Sequence, residues 1–164
     1  MKILDKQQIQ QKIKRLAIEI LENNFDETRI ILGGINNNGM SFAKLLRQEL
    51  KTITQQEILL TQIKLNPANP LAQEVTIGMP IEELENASLV IVDDVANTGR
   101  TIFYAIKPLL ETLPRKVCVA VLVDRKHKSF PIKVDYLGLS LATTLKEDIE
   151  VNIRDTKDWA VYLR

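Results

Sequence analysis

The chain has 164 residues, 45% of them hydrophobic and 26% charged, with a formal net charge of +1. That length suits a single domain spanning 1–164 with a sizeable core. The balanced charge argues neither for nor against nucleic-acid binding, no apolar run approaches the ~20 residues of a membrane span, and the lone cysteine, Cys118, excludes an internal disulfide.

Ile9, Ile13, Leu16, Ile20 and Leu21 recur at helical spacing, which predicts an amphipathic helix over roughly 5–24. This polar-rich opening lacks the apolar block of a secretion signal, so a cytoplasmic protein is expected. RIILGGI (29–35) reads as a buried strand ending at Gly33-Gly34, with Asn36, Asn37, Asn38 and Gly39 as turn residues after it. Ser41 to Leu50 then shows helical spacing at Phe42, Leu45, Leu46 and Leu50. QEILLTQIKL (56–65) reads as a strand, and the Pro-rich NPANPLAQEVTIGMP (66–80) as a long loop or flap.

LVIV (89–92) predicts a short buried strand, and Arg100 to Leu113 a helix that Pro108 should kink or end early. VCVAVLV (117–123) is a further strand and would bury Cys118 as an inert thiol. The tail alternates short β-like runs, IKVDYLGL (132–139), DIEVNI (148–153) and WAVYL (159–163), with Trp159 and Tyr162 read as packing residues. The order β-α-β-loop-β-α-β, with continuously apolar strands, argues an α/β fold: a central parallel sheet covered by helices on both faces.

The stretch with chemistry in it is SLVIVDDVANTGRT, Ser88 to Thr101. Asp93 and Asp94 follow an apolar strand, where ligands of parallel sheets bind. Ala96, Asn97, Thr98, Gly99, Arg100 and Thr101 form the turn into the next helix. A helix start exposes N–H groups, Gly99 permits close backbone approach, and Thr98 and Thr101 add hydroxyl donors, so this half suits a phosphate. The two carboxylates suit vicinal hydroxyls or a hydrated Mg²⁺. Both halves together fit a ribose 5-phosphate. There is no Walker A loop and no dinucleotide-binding G-x-G-x-x-G.

The pattern of an apolar run, Asp-Asp-x-x-x-Thr-Gly-x-Thr, resembles the phosphoribosyl-pyrophosphate (PRPP) signature of type I phosphoribosyltransferases. AVLVDRKHKSFPIKVDYLGLSLAT (120–143), the opening ILDKQQI and RLAIEI runs, and RIILGGINNNG (29–39) are similar to the bifunctional pyrimidine-operon regulator/uracil phosphoribosyltransferases, in register over nearly the whole chain. The resemblance implies the type I fold, a central parallel sheet flanked by helices with a small β-rich hood around 124–145. It implies that Asp93 and Asp94 hold the ribose hydroxyls of PRPP, and Mg²⁺ indirectly, through PRPP or water. It places the 5-phosphate in the Ala96 to Thr101 loop, pyrophosphate at Ile35 to Gly39 (Asn37, Asn38 and Gly39 among them), and the base near Val121 to Arg125, with Arg125 a cation at the site mouth. It also implies a homodimer or larger homo-oligomer, with the opening helix as a candidate contact.

The departures bear on activity. The family's pyrophosphate loop carries an arginine where this chain has Asn38, and its flap carries a Tyr-Arg-Asp-Asp-like run where this chain has Asn66-Pro67-Ala68-Asn69. Two cations at the leaving group are thus missing, with Lys64 a candidate substitute. Asn97 stands where purine-type relatives place an aspartate, and it cannot take a proton. Ile18 replaces a histidine of the RNA-binding members, and Leu139, Ser140 and Leu145 replace basic residues. RNA is therefore an unlikely partner despite Lys12, Lys14 and Arg15 on the first helix. His127 reads as a surface-loop histidine. The sequence leaves open a PRPP-dependent transferase acting on a nucleobase, uracil first, a PRPP or nucleotide-binding regulator, and, third, an RNA-binding regulator.

Overall fold

The computed structural model describes residues 1–154 and 157–164. In chain order it has strand β1 (Lys2–Leu4), helix α1 (Lys6–Glu22), β2 (Arg29–Ile35), α2 (Asn36–Ile53), β3 (Glu57–Lys64), β4 (Thr76–Ile77) and β5 (Ser88–Ala96). There follow α3 (Arg100–Ala105), β6 (Lys116–Arg125), β7 (Tyr136–Leu141), β8 (Ile149–Asn152) and β9 (Ala160–Leu163). The main sheet has the order β4-β3-β2-β5-β6-β7. Its neighbours from β3 to β7 run parallel and β4 is antiparallel, so the sheet is mixed rather than wholly parallel.

Alternation along each central strand divides the core. Ile30 and Leu32, Val90 and Val92, and Ala120 and Leu122 pack with the apolar stripes of α1 and α2. Ile31, Leu89, Ile91, Val119 and Val121 pack on the other face with Ile102, Ala105 and Leu109. Both faces are therefore covered, as the continuous apolar strands require. The first helix starts at a capping box: the Gln8 N–H donates to Asp5 Oδ1 at 2.8 Å, and the Asp5 N–H to Gln8 Oε1 at 2.9 Å. No helix among the described residues is long and apolar enough to cross a membrane.

Four boundaries differ from the sequence expectation. The asparagine run is no turn but the opening of α2, which starts directly at Asn36. The short LVIV strand extends to Ala96 and takes both aspartates with it. The helix after the aspartates stops at Ala105, and Lys107–Glu111 continues as a 3₁₀ turn, because Pro108 has no N–H to give an α-helical ladder. The tail strand begins at Tyr136 rather than near Ile132.

The β-rich hood also sits elsewhere than 124–145. That stretch supplies the end of β6 and the edge strand β7 of the main sheet. The second sheet, β1-β9-β8, is built from the two ends of the chain. The Met1 ammonium donates to the Leu163 carbonyl at 2.7 Å, and the Leu163 N–H to the Met1 carbonyl at 2.8 Å. Closing the chain on itself brings residues 153 and 154 next to the start of α2, a consequence for the site below.

Candidate active site

Strand β5 lies at the centre of the sheet between β2 and β6, and its carboxyl end opens into a cleft of about 400 Å³. Asp93 and Asp94 form the floor of this cleft. Asp93 is 8% exposed. Burial pushes its carboxyl well above the usual range, and the adjacent Asp94 charge pushes it further. Burial raises Asp94 too, against the pull of its hydrogen bonds and of the Arg154 guanidinium. The Asp94 N–H donates to Asp93 Oδ1 and the Val95 N–H to Asp94 Oδ1, both at 2.9 Å, which fixes where the carboxyls stand.

This pair makes the fold less stable than it could be. A carboxyl with a raised pKa in the folded state binds more protons folded than unfolded, so stability falls as pH climbs from about 4. Asp93→Asn removes that penalty at constant size. The variant is expected to melt higher than the parent at pH 7, by about 2–4 °C per kcal/mol regained, with the gap closing toward pH 4. Calorimetric melting at both pH values checks this; a variant that melts lower at pH 7 contradicts it.

Beyond the aspartates the chain turns through Asn97 to Gly99. Gly99 has φ +86°, and a Cβ there would come within 3.2 Å of Ile132 Cβ, so only glycine fits the turn without strain. The helical ladder begins with the Phe103 N–H on the Gly99 carbonyl at 2.9 Å. Arg100, Thr101 and Ile102 precede it and line a small pocket of about 40 Å³ together with Thr98, whose Oγ1 accepts from the Arg100 N–H at 3.4 Å. Helix α3 has only six residues, so the backbone donors and hydroxyls of the turn, rather than a long helix dipole, define this cradle. The turn is braced from behind: the Ser129 and Phe130 N–H groups donate to the Thr98 carbonyl at 2.9 and 3.2 Å.

The opposite wall is the start of α2. Asn37 and Asn38 line the cleft. Asn36 has φ +49°, and its amide pairs with the Leu65 backbone in both directions, at 2.9 and 3.0 Å. Gly39 lies under the cleft rather than in it: a Cβ there would be 2.5 Å from the Val92 carbonyl, so glycine lets α2 sit directly on β5 beside Asp93. Arg154, delivered by the hood, also lines the cleft, and its guanidinium donates to Asn38 Oδ1.

Arg125 is placed differently from the sequence expectation. Its guanidinium is committed to Thr143 Oγ1 at 2.6 Å, to the Thr144 and Glu147 carbonyls at 2.9 Å each, and to Asn97 Oδ1 at 3.3 Å. It clasps the end of β6 to the 143–147 loop rather than standing in the cleft. Lys64 lines an adjoining groove with Asn36, Asn37 and Pro67. Cys118 is half-buried, and burial pushes its thiol up, away from reactivity.

Among the described residues no group of three or more His, Cys, Asp or Glu side chains could hold a metal. Two carboxylates without further ligands match a Mg²⁺ that takes most of its oxygens from a bound phosphate ligand and water.

A diacid at the end of a central strand, between the start of α2 and the turn before α3, is the arrangement that the sequence resemblance implies. The phosphoribosyl transferase domain profile matches residues 1–155. The chain belongs to the phosphoribosyl transferase domain family. Among curated relatives, it is 35% identical to the Bifunctional protein PyrR of Streptococcus mutans over 159 residues, covering 95% of this chain and 90% of that protein. To the Bifunctional protein PyrR of Macrococcus caseolyticus it is 31% identical over 162 residues, covering 95% and 93%. Solved phosphoribosyltransferases share the fold at lower identity. A hypoxanthine phosphoribosyl transferase of Trypanosoma cruzi superposes with a TM-score of 0.78 at 18% identity, covering 100% of this chain and 91% of that one. A hypoxanthine-guanine phosphoribosyltransferase of Bacillus anthracis gives 0.73 at 18%, covering 91% and 86%. The type I fold expected from the sequence is thus the fold found.

Sequence reasoning missed Arg154 in this phosphoribosyl transferase domain. No motif surrounds it and it stands 116 residues from Asn38 in the chain. The usable signal was topological: a cation directly after the DIEVNI strand of the hood.

Proposed function

We propose that this chain transfers the phosphoribosyl group of PRPP to a nucleobase, uracil first among the candidates, releasing pyrophosphate. One observation carries the reading: a single cleft is lined by Asp93 and Asp94, by Asn36, Asn37 and Asn38 at the start of α2, by Asn97 and Thr101 of the turn after β5, and by Arg154. Asp93 and Asp94 accept the two ribose hydroxyls. The Ala96–Thr101 loop, with Asn97, Thr98, Gly99, Arg100 and Thr101, holds the 5-phosphate. Asn37 and Asn38 hold the pyrophosphate, with Gly39 letting them approach the diacid. Arg154 supplies the positive charge that the pyrophosphate loop itself lacks. Arg125 acts from outside, by holding Asn97 and the 143–147 loop in place. Asp93 and Asp94 would hold a Mg²⁺ ion through PRPP or water, and the ion would supply charge neutralisation on the pyrophosphate.

Glycosyl transfer from PRPP passes through an oxocarbenium-like state in which negative charge collects on the departing pyrophosphate. Donors fixed in advance around that charge lower the barrier, because they need no reorganisation when it appears. The side chains here bind and orient: Asn97 has no basic atom, so the base loses its proton to solvent or arrives ionised. The protein works as a cytoplasmic homo-oligomer of single-domain subunits.

A second reading is a regulator that binds PRPP or a nucleotide without turnover, favoured by Asn36, Asn37 and Asn38 where a cation would serve chemistry. Incubation with Mg-PRPP and uracil, hypoxanthine or guanine in turn separates the two. Base-dependent pyrophosphate release with formation of the matching nucleotide supports transfer; tight PRPP binding with no release under any base supports the regulator.

A further inference from the structure

Residues 66–75 border the cleft, with Pro67 lining both it and the adjoining groove. The segment holds no helix or strand, yet it is folded. Asn66 Oδ1 accepts from the Ala68 and Asn69 N–H groups at 3.0 and 3.3 Å. Asn69 repeats the device one step on: its Oδ1 accepts from the Leu71 N–H at 3.2 Å, and its carbonyl from the Ala72 N–H at 3.0 Å. Each asparagine precedes a proline, Pro67 or Pro70, whose ring fixes φ. Two successive Asn-Pro turns thus give this strap a defined backbone course through its own hydrogen bonds.

The strap is fixed at two points. Its root, Leu65, is paired with the Asn36 amide. Its middle is held by Arg100, whose Nη2 donates to the Ala68 carbonyl at 3.2 Å. The same Arg100 lines the small anion pocket at the start of α3. One residue therefore touches the anion cradle and the strap at once.

We propose that Arg100 is a positioning residue that ties the 66–75 strap to the anion cradle, so that the strap stands over the cleft before ligand arrives and is held harder once a phosphate is bound. The guanidinium is a planar fork with five donors, so one can stay on the Ala68 carbonyl while others meet a phosphate oxygen. A lysine ammonium is a point charge without that fixed two-sided geometry. Stiffness of the strap and retention of the ligand are thereby coupled through one side chain. The second half of this inference rests on the reading of the cradle as a phosphate site; the first half does not.

Hydrogen exchange of the 66–75 backbone, read by mass spectrometry on the full chain, tests it in the parent, Arg100→Lys and Arg100→Ala. In the free proteins, Ala68, Asn69, Leu71 and Ala72 are expected to exchange about 10-fold faster in both variants than in the parent. Adding Mg-PRPP should slow exchange further in the parent alone, and ligand dissociation should be about 10-fold faster from each variant. Equal exchange in all three free proteins overturns the strap. So does full protection in the lysine variant, which would show that charge alone suffices. Faster exchange in the free variants with no response of the parent to Mg-PRPP keeps the strap and sinks the phosphate reading, so the two failures are distinguishable.

Discussion

Changing both aspartates to asparagine is expected to weaken Mg-PRPP binding about 100-fold while raising the melting temperature at pH 7. Each ionised carboxylate that accepts from a ribose hydroxyl is replaced by a neutral amide oxygen, a loss of about 1–1.5 kcal/mol per bond. Two such losses amount to about 100-fold in affinity. The gain in stability comes from the same residues, since burial raises both carboxyls above their usual range and the Asp94 charge raises Asp93 further. A fall in affinity together with a rise in melting temperature cannot be blamed on misfolding. Titration calorimetry and scanning calorimetry on the Asp93→Asn/Asp94→Asn protein give both numbers. Unchanged affinity would remove the diacid from the binding site.

Arg154→Ala should lower turnover about 100- to 1000-fold, the usual consequence of removing one preorganised donor from a developing charge. Two features single this residue out. It enters the cleft beside Asn38, on the wall assigned to pyrophosphate. It is also the cation whose field opposes the rise of the Asp94 carboxyl. Affinity for inorganic pyrophosphate should fall about 10-fold in the variant, a readout that survives even where turnover is slow. Arg154→Lys should recover part of each, because the charge returns without the planar fork. Turnover and pyrophosphate binding that match the parent would hand the leaving-group role to Lys64, whose groove adjoins the cleft.

The parts of this molecule that local rules govern were readable from the sequence. The stripes of α1 and α2 and the apolar runs of β2, β5 and β6 each contain their own periodicity, and the Asp-Asp-x-x-x-Thr-Gly-x-Thr run contains its own chemistry. What escaped was set by partners far away in the chain. Three asparagines in a row look like a turn, and nothing local shows that Asn36 opens a helix. It does so because its amide pairs with the backbone of Leu65, 29 residues later. Strand β1 is three residues long, too short for any pattern, and exists through its pairing with β9 at the other end. The hood was assigned to the wrong segment for the same reason. With the hood misplaced, Arg154 had no reason to stand near Asn38, and the site looked poorer in positive charge than it is. Arg125 failed in the opposite direction: a cation after a central strand looked like a ligand group, but three acceptors in the 143–147 loop and Asn97 take up its donors.

The most direct test of the site is titration calorimetry of the purified chain with PRPP, with and without Mg²⁺. Micromolar binding that strengthens when Mg²⁺ is present is the expected result, and it would establish that the cleft over Asp93 and Asp94 takes a phosphoribosyl ligand. No binding at millimolar PRPP in either condition would contradict it, leaving the aspartates and the Thr-Gly-Arg-Thr turn as a scaffold without its ligand.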